Sequence, residues 1–174
     1  VAILLLDANE GISAQDMHIG GYIQDAFRAA IIVVNKWDLI EKDTNTAGAF
    51  AKKIKESFNF MPYAPILFIS ALTGQRVRKI FDLIDEVIPE YRARIETSVL
   101  NNVLHKILQR HQPPIQKGRQ LKIKYITQTD TAPPTFTLFV NDPALLHFSY
   151  ERFMRNQFAI ELGLSKTPIR LKLR

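Results

Sequence analysis

The sequence predicts an α/β half followed by an α+β half, and three observations carry that reading. Over residues 1–94, three apolar strand-like runs alternate with segments of helical spacing, the order of a parallel sheet with helices on its faces. Over residues 95–174 the order becomes αββαβ, with polar and apolar positions alternating along the strands, as in a sheet covered on one side. The charge changes at the same place. Residues 1–94 hold 11 Lys/Arg and 12 Asp/Glu, net −1, whereas residues 95–174 hold 12 and 5, net +7. The boundary is therefore expected near residues 90–97, giving domains at 1–94 and 95–174.

"VAILLLD" (1–7) is a continuous apolar run, as in a parallel strand covered on both faces. Ser13 is placed to cap a helix over roughly 14–28. "AAIIVVN" (29–35) is a second buried strand. Phe50, Ile54 and Phe58 fall on one face of a helix over about 46–58. "APILFIS" (64–70) is a third strand, and Val77, Ile80, Phe81, Ile84, Val87 and Ile88 predict a helix over about 75–88. Three strands make half an α/β domain, and an apolar run beginning at residue 1 without Met reads as the middle of a fold. The chain is expected to be a piece of a longer protein.

In the second half, Val99, Leu100, Val103, Leu104, Ile107 and Leu108 mark an amphipathic helix over 97–111. "QPPIQKG" (112–118) breaks it. "LKIKYITQ" (121–128) and "TFTLFVN" (135–141) alternate as strands, joined through "TDTAPP". A helix over about 146–162 is expected to end at Gly163, and "PIRLKLR" closes with strict alternation.

With 47% hydrophobic and 23% charged residues, the chain has material for a real core, which excludes global disorder. No apolar run has the roughly 18 residues a membrane span needs, and no secretory leader is visible. There is no Cys, which excludes disulfides and thiolate metal sites and fits a reducing cytoplasm. The basic second half points to a polyanion such as nucleic acid.

The chemistry lies in Asn35-Lys36-Trp37-Asp38, at the C-terminal end of a parallel strand, where open α/β sheets bind ligands. A carboxylate accepts two hydrogen bonds in a fork. Guanine offers two adjacent donors, N1–H and the N2 amino group; adenine has an acceptor at N1 and no amino group. Asp38 would thus pair with guanine and repel adenine, a discrimination of about 10⁴-fold. The Asn35 amide would donate toward N7 and tie the loop to its neighbours, and the Lys36 stem would lie along the ring. Ser70-Ala71-Leu72, followed by Thr73-Gly74, ends the next strand. There the Ala71 N–H is expected to approach guanine O6 while Ser70 braces the turn.

The phosphate-cradling pattern G-x-x-x-x-G-K-[ST] cannot be built from the seven glycines at 11, 20, 21, 48, 74, 118 and 163. Asp7 also ends an apolar strand, but the spacing of "DANEG" does not suit a Mg²⁺-binding Asp, so it is expected to be structural. His18, His105, His111 and His147 show no metal-ligand spacing, and no metal site is assigned.

Four stretches, "NKWDLIEKD", "YAPILFISALTGQRV", "LKIKYITQTDTAPPTFTLFVNDPALLHFSYERF" and "TPIRLKLR", resemble the C-terminal part of the bacterial ribosome-assembly GTPase family Der, also called EngA. The resemblance covers essentially the whole chain and is most specific over 133–153. It implies a partial P-loop-GTPase-type sheet over 1–94, lacking the P-loop and switch regions, followed by a KH-like domain over 95–174. It implies guanine recognition by Asn35, Lys36, Asp38, Ser70, Ala71 and Leu72. It also implies GTP/GDP with Mg²⁺ as cofactors of the full-length protein, which would be a GTPase acting in assembly of the large ribosomal subunit. No catalytic or metal residue carries over, so this chain alone is expected to be inactive and to bind no cofactor. The implied partners are the large ribosomal subunit, its ribosomal RNA and the missing N-terminal GTPase domain, with no membrane; the protein is expected to be a cytoplasmic monomer. One local departure is Phe27, where the family usually has Gly.

KH domains of the usual kind clamp RNA with a GXXG loop, and no two glycines here are three apart. RNA contact would fall instead to basic side chains: Arg119, Lys122 and Lys124, with the two lysines on one strand face, and Arg170, Lys172 and Arg174 opposite Ile169, Leu171 and Leu173. The plain alternatives are a solvated sheet face or a docking face for the missing GTPase domain. The aromatics of "HFSYERF" (147–153) and Phe158 read as core by their helical spacing. Two other functions fit part of the pattern: a non-enzymatic RNA- or ribosome-binding module, and an Era-like GTPase, which the missing GXXG disfavours.

Overall fold

The β-branched and leucine-rich runs of the first half extend side by side. In a computed structural model of the chain, which describes all residues except Lys42, Thr44 and Lys117 and only the backbone of Gln116, β1 (Ala2–Asp7), β2 (Ala30–Asn35) and β3 (Ile66–Phe68) form a parallel sheet in the order β1-β2-β3. Asp7 pairs in register with Asn35, and Val34 with Phe68. The three C-terminal ends therefore share one edge. Between them run α1 (Ala14–Asp25) and α2 (Thr46–Ser57), and α3 (Lys79–Tyr91) follows β3.

Ser13 caps α1 as its sequence predicts. Its hydroxyl accepts from the Asp16 N–H, and the Asp16 carboxylate accepts from the Ser13 N–H, a reciprocal capping box. Ile23 of α1 and Phe50, Ile54 and Phe58 on and just after α2 pack over Leu4, Leu6, Ile32 and Val34. Gly20 is what lets α1 approach: a Cβ there would lie 2.9 Å from the buried Phe58 ring.

The expectation that β1 is covered on both faces does not hold. Leu4 and Leu6 are buried, but Ile3 and Leu5 are 47% and 56% exposed. β1 is an edge strand, so the cover that buries Ile31 and Val33 on β2 does not extend over it. The helix expected from residue 75 begins at Lys79. Gly74 and Arg76 both take positive φ, and a bridge between Ser70 and Gln75 holds the preceding stretch as turns.

The described residues divide into two compact units. The first is Val1–Pro89 with Lys166–Pro168; the second is Glu90–Ser165 with Ile169–Arg174. In the second unit, α4 (Thr97–Arg110) and α5 (Phe148–Glu161) cover one face of the sheet β6-β7-β8 (Ile123–Asp130, Thr135–Val140, Arg170–Leu173). β6 and β7 are antiparallel; β7 and β8 are parallel. The core is Leu100, Val103, Leu104 and Ile107 against Ile126, Phe136, Leu138, Met154 and Phe158. The breaker after α4 contains a small hairpin the sequence did not announce, β4 (Ile115–Gln116) with β5 (Arg119–Gln120).

Two side chains fasten the sheet to its surroundings. Asn101 on α4 donates to the Ile126 C=O at 3.0 Å and accepts from the Ile126 N–H at 3.1 Å. Gln128, buried on the core face, accepts from the Ile95 N–H at 2.7 Å and donates to the Ala93 C=O at 2.8 Å. α5 ends in a Schellman motif: Gly163 stands at φ +67°, its N–H reaches the Ile160 C=O, and the Leu164 N–H reaches the Ala159 C=O.

Candidate functional site

β2 delivers Asn35 to the edge of the sheet, and the chain then turns sharply. Lys36 adopts the left-handed conformation at φ 60°, and residues Trp37–Leu39 form one 3₁₀ turn. A lysine held there costs roughly 1 kcal/mol, so the surroundings must impose it. Trp37 does much of that. It is buried, edge-to-face against Phe50 with ring centroids 5.2 Å apart and tilted against Phe68 at 4.3 Å, while its backbone N–H donates to the Ile69 C=O.

With Trp37 turned inward, Asn35, Lys36 and Asp38 remain at the strand edge. Oδ1 of Asp38 is shielded from solvent yet has no hydrogen-bond partner among the described residues. An orphaned buried carboxylate oxygen is costly, and a donor pair such as the N1–H and N2 amino group of guanine would relieve it. That fit concerns the base alone: none of the described residues forms a cluster of three or more His, Cys, Asp or Glu suited to a metal ion.

Asp7 is a residue whose role here the sequence reading missed. Its Oδ2 lies 2.6 Å from Nζ of Lys36, and its Oδ1 accepts from the Asn9 N–H at 2.8 Å. The Lys36 ammonium holds the Asp7 carboxyl below the ordinary carboxylate range, and Asp7 in turn raises Lys36. Asp7 is thus tied to the base motif as well as ending its strand. Only the in-register pairing of β1 with β2 could have revealed it, because 29 positions of sequence separate the two residues.

The second loop closes on the first. The Ala71 N–H donates to Asn35 Oδ1 at 2.9 Å. The N–H expected to meet guanine O6 is therefore engaged, since the two strand ends lie close enough for the Asn35 side chain to reach it. A base arriving at this edge would have to share or exchange that bond, while the opposite end of the Asn35 amide can donate to N7. Ser70, fully buried, accepts from the Thr73 N–H at 3.1 Å and braces the turn. Leu72 is 87% exposed and lies beside this cluster rather than inside it.

The basic candidates of the second unit separate into two groups. Arg170, Lys172 and Arg174 are exposed, while Leu171 and Leu173 pack on the core, so the alternation of β8 is as expected. Arg119 belongs elsewhere: its guanidinium pairs with Asp142 at 3.1 Å. Lys122 precedes β6, and its N–H and C=O both bond Asn141. Lys122 and Lys124 are both exposed on either side of Ile123, and the register shift between Ile123 and Tyr125 interrupts the alternation only after Lys124. Ile123 and Ile126 turn to the core, leaving Lys124 and Tyr125 exposed side by side.

On α5, Tyr150 and Phe158 are core, as expected. Phe148 is not: it is 65% exposed with the Arg152 guanidinium 6.0 Å from its ring. It sits at the first position of the helix, ahead of the stripe that faces the sheet.

Residues 1–90 match the family described as the elongation factor Tu GTP binding domain. Residues 94–174 match the KH-domain-like family of EngA bacterial GTPase enzymes, C-terminal. The chain is 51% identical over all of its 174 residues to GTPase Der of Clostridium tetani, of which it covers 40%. It is 48% identical over its full length to GTPase Der of Desulfitobacterium hafniense and of Acetivibrio thermocellus, again covering 40% of each. The chain thus spans about two fifths of the length of the curated relatives it matches. A nucleotide-domain segment joined to an EngA-type KH-like domain, at this identity across its whole length, places the chain in the Der (EngA) family of bacterial GTPases, as its C-terminal part.

Proposed function

We propose that residues 1–90 are the base-reading part of a guanine-nucleotide site in a longer protein that binds and hydrolyses GTP with Mg²⁺. The observation that carries this is the buried, unpartnered Oδ1 of Asp38 beside the Asn35–Ala71 clasp at the sheet edge. The fork of a carboxylate selects guanine by matching two donors, and binding through it would settle the orphaned oxygen. The phosphate cradle, and with it catalysis, would come from outside these 174 residues. The second unit would supply contact to ribosomal RNA during assembly of the large subunit, through Lys124, Arg170, Lys172 and Arg174, with Lys122 and Arg119 at the margin. The net charge of +7 over residues 95–174 and the match of residues 94–174 to a KH-domain-like family support that reading. The protein would act as a cytoplasmic monomer. Among the described residues no helix is long and apolar enough to cross a membrane.

Titration calorimetry on the longer protein tests the nucleotide reading. GDP is expected to bind at least about 10²-fold tighter than ADP. In Asp38→Asn, GDP affinity should fall and xanthosine diphosphate should gain, because an amide presents one acceptor and one donor to a base carrying N1–H and a 2-oxo group. Equal affinity for GDP and ADP would refute the reading. The 174-residue chain by itself should show no hydrolysis and bind GDP more weakly than about micromolar.

A further inference from the structure

We propose that the outer face of the β6-β7-β8 sheet is a stacking platform for unpaired bases, so that it takes single-stranded RNA in preference to duplex; the inference rests on the RNA reading above. The side chains on this face are ordered by strand register. Tyr125 on β6 lies opposite Phe139 on β7, and their rings stack at 4.2 Å with an interplanar angle of 12°. The Arg174 guanidinium lies 5.9 Å from the Phe139 ring centroid. A graded stack results, cation, Phe139, Tyr125, and its last ring is 43% exposed on an edge strand. The β-bulge matters here, because it brings Tyr125 to the surface beside Lys124.

The centre of the face is small. Thr127 pairs with Thr137, which is buried, and Thr137 with Lys172, so the row next to the aromatic pair carries two small side chains and one lysine. Lys172 and Arg174 are two residues apart on an extended strand, a spacing of about 6.6 Å, comparable to the step between successive phosphates of an extended single strand. The three strands carry a single carboxylate, Asp130 at the far end of β6, against Lys124, Arg170 and Lys172. The positive charge calls for a polyanion. An open aromatic face calls for the π-surface of a base, which a duplex keeps within its stack.

Fluorescence anisotropy with the full 174-residue chain tests this, using a labelled oligouridine of about 12 nucleotides and a duplex of the same length. The single strand should bind about tenfold tighter. Tyr125→Leu should weaken it about five- to tenfold with an unchanged salt slope, and Tyr125→Phe should restore it. Lys172→Gln should instead reduce the salt slope by about 1. If Lys172→Gln acts as stated but Tyr125→Leu binds like the parent, the platform is overturned while RNA contact stands. If neither RNA binds at low salt, both readings fall. Equal affinity for the duplex or for polyglutamate would also overturn the platform, by showing that the face reads charge alone. Photocrosslinking with 5-bromouridine gives a readout that needs no variant. A crosslink mapped to Tyr125 supports the proposal, and one confined to Phe148 on α5 overturns it.

Discussion

Asn35 Oδ1 and the Ala71 N–H meet at 2.9 Å across 36 residues of chain, joining the two loops that the sequence presents as separate motifs. The bond makes the second loop depend on the first.

Removing the acceptor should therefore loosen both. Asn35→Ala is expected to destabilise the first unit by about 1 kcal/mol. It should also speed hydrogen exchange at the Ala71 amide by several-fold, whereas Asn35→Asp keeps an acceptor and should leave that exchange slow. Equal exchange in the parent and Asn35→Ala would show that the contact does not hold the loop.

The Asp7–Lys36 pair fixes a pH window. The folded Asp7 carboxyl titrates below its ordinary value of 3.8, so its contribution is present above that value and is lost as pH falls through the lowered one. The folded Lys36 ammonium titrates above 10.5, so its contribution is present below that and is lost as pH rises through the raised value. Between these limits the pair stays charged. In Asp7→Asn, the Lys36 ε-carbon observed by NMR should titrate at a lower pH than in the parent; an unchanged midpoint would mean that the pair does not form.

Phe27 occupies the left-handed position at which α1 ends, with φ 50°. Its N–H reaches the Gln24 C=O and the Arg28 N–H reaches the Ile23 C=O, the same Schellman arrangement that α5 builds around Gly163. Ala at position 27 would keep the conformational cost and lose the ring. Gly would lose the ring but relieve the cost. Phe27→Gly is thus expected to be about 1 kcal/mol more stable than Phe27→Ala, read by urea unfolding through Trp37, the only tryptophan. Equal stability of the two would contradict the strain.

Gln128 stands in the core of the second unit because the segment leading into α4 needs it. Gln128→Ala would leave the Ile95 N–H and the Ala93 C=O unpaired, at a cost of about 2–3 kcal/mol. Far-UV circular dichroism during urea unfolding measures that. Gln128→Glu keeps the acceptor for Ile95 and should fall between Ala and the parent.

Much of the architecture was legible because period reports burial. Phe50, Ile54 and Phe58 at helical spacing do face the sheet, and Leu171 and Leu173 alternate inward as the pattern of β8 predicts. Ser13 and Gly163 marked helix ends because capping is chemistry between near neighbours. The errors fell where a neighbour elsewhere in the chain decides. The apolar run of β1 reads as doubly covered, but its place at the sheet edge leaves Ile3 and Leu5 exposed. The alternation of "LKIKYITQ" gives no sign of the bulge beside Tyr125, which the pairing with β7 reveals.

The sequence by itself determined the two-part α/β and α+β organisation, the delivery of Asn35, Lys36 and Asp38 to a strand end, and the basic alternation of β8. Those features follow from local spacing and side-chain chemistry. The tertiary structure alone decided that Asp7 holds Lys36, that Asn35 claims the Ala71 amide, and that Tyr125, Phe139 and Arg174 form one stack. Each of these joins residues that strand register and chain direction bring together, and spacing along a single strand carries no record of what lies across it.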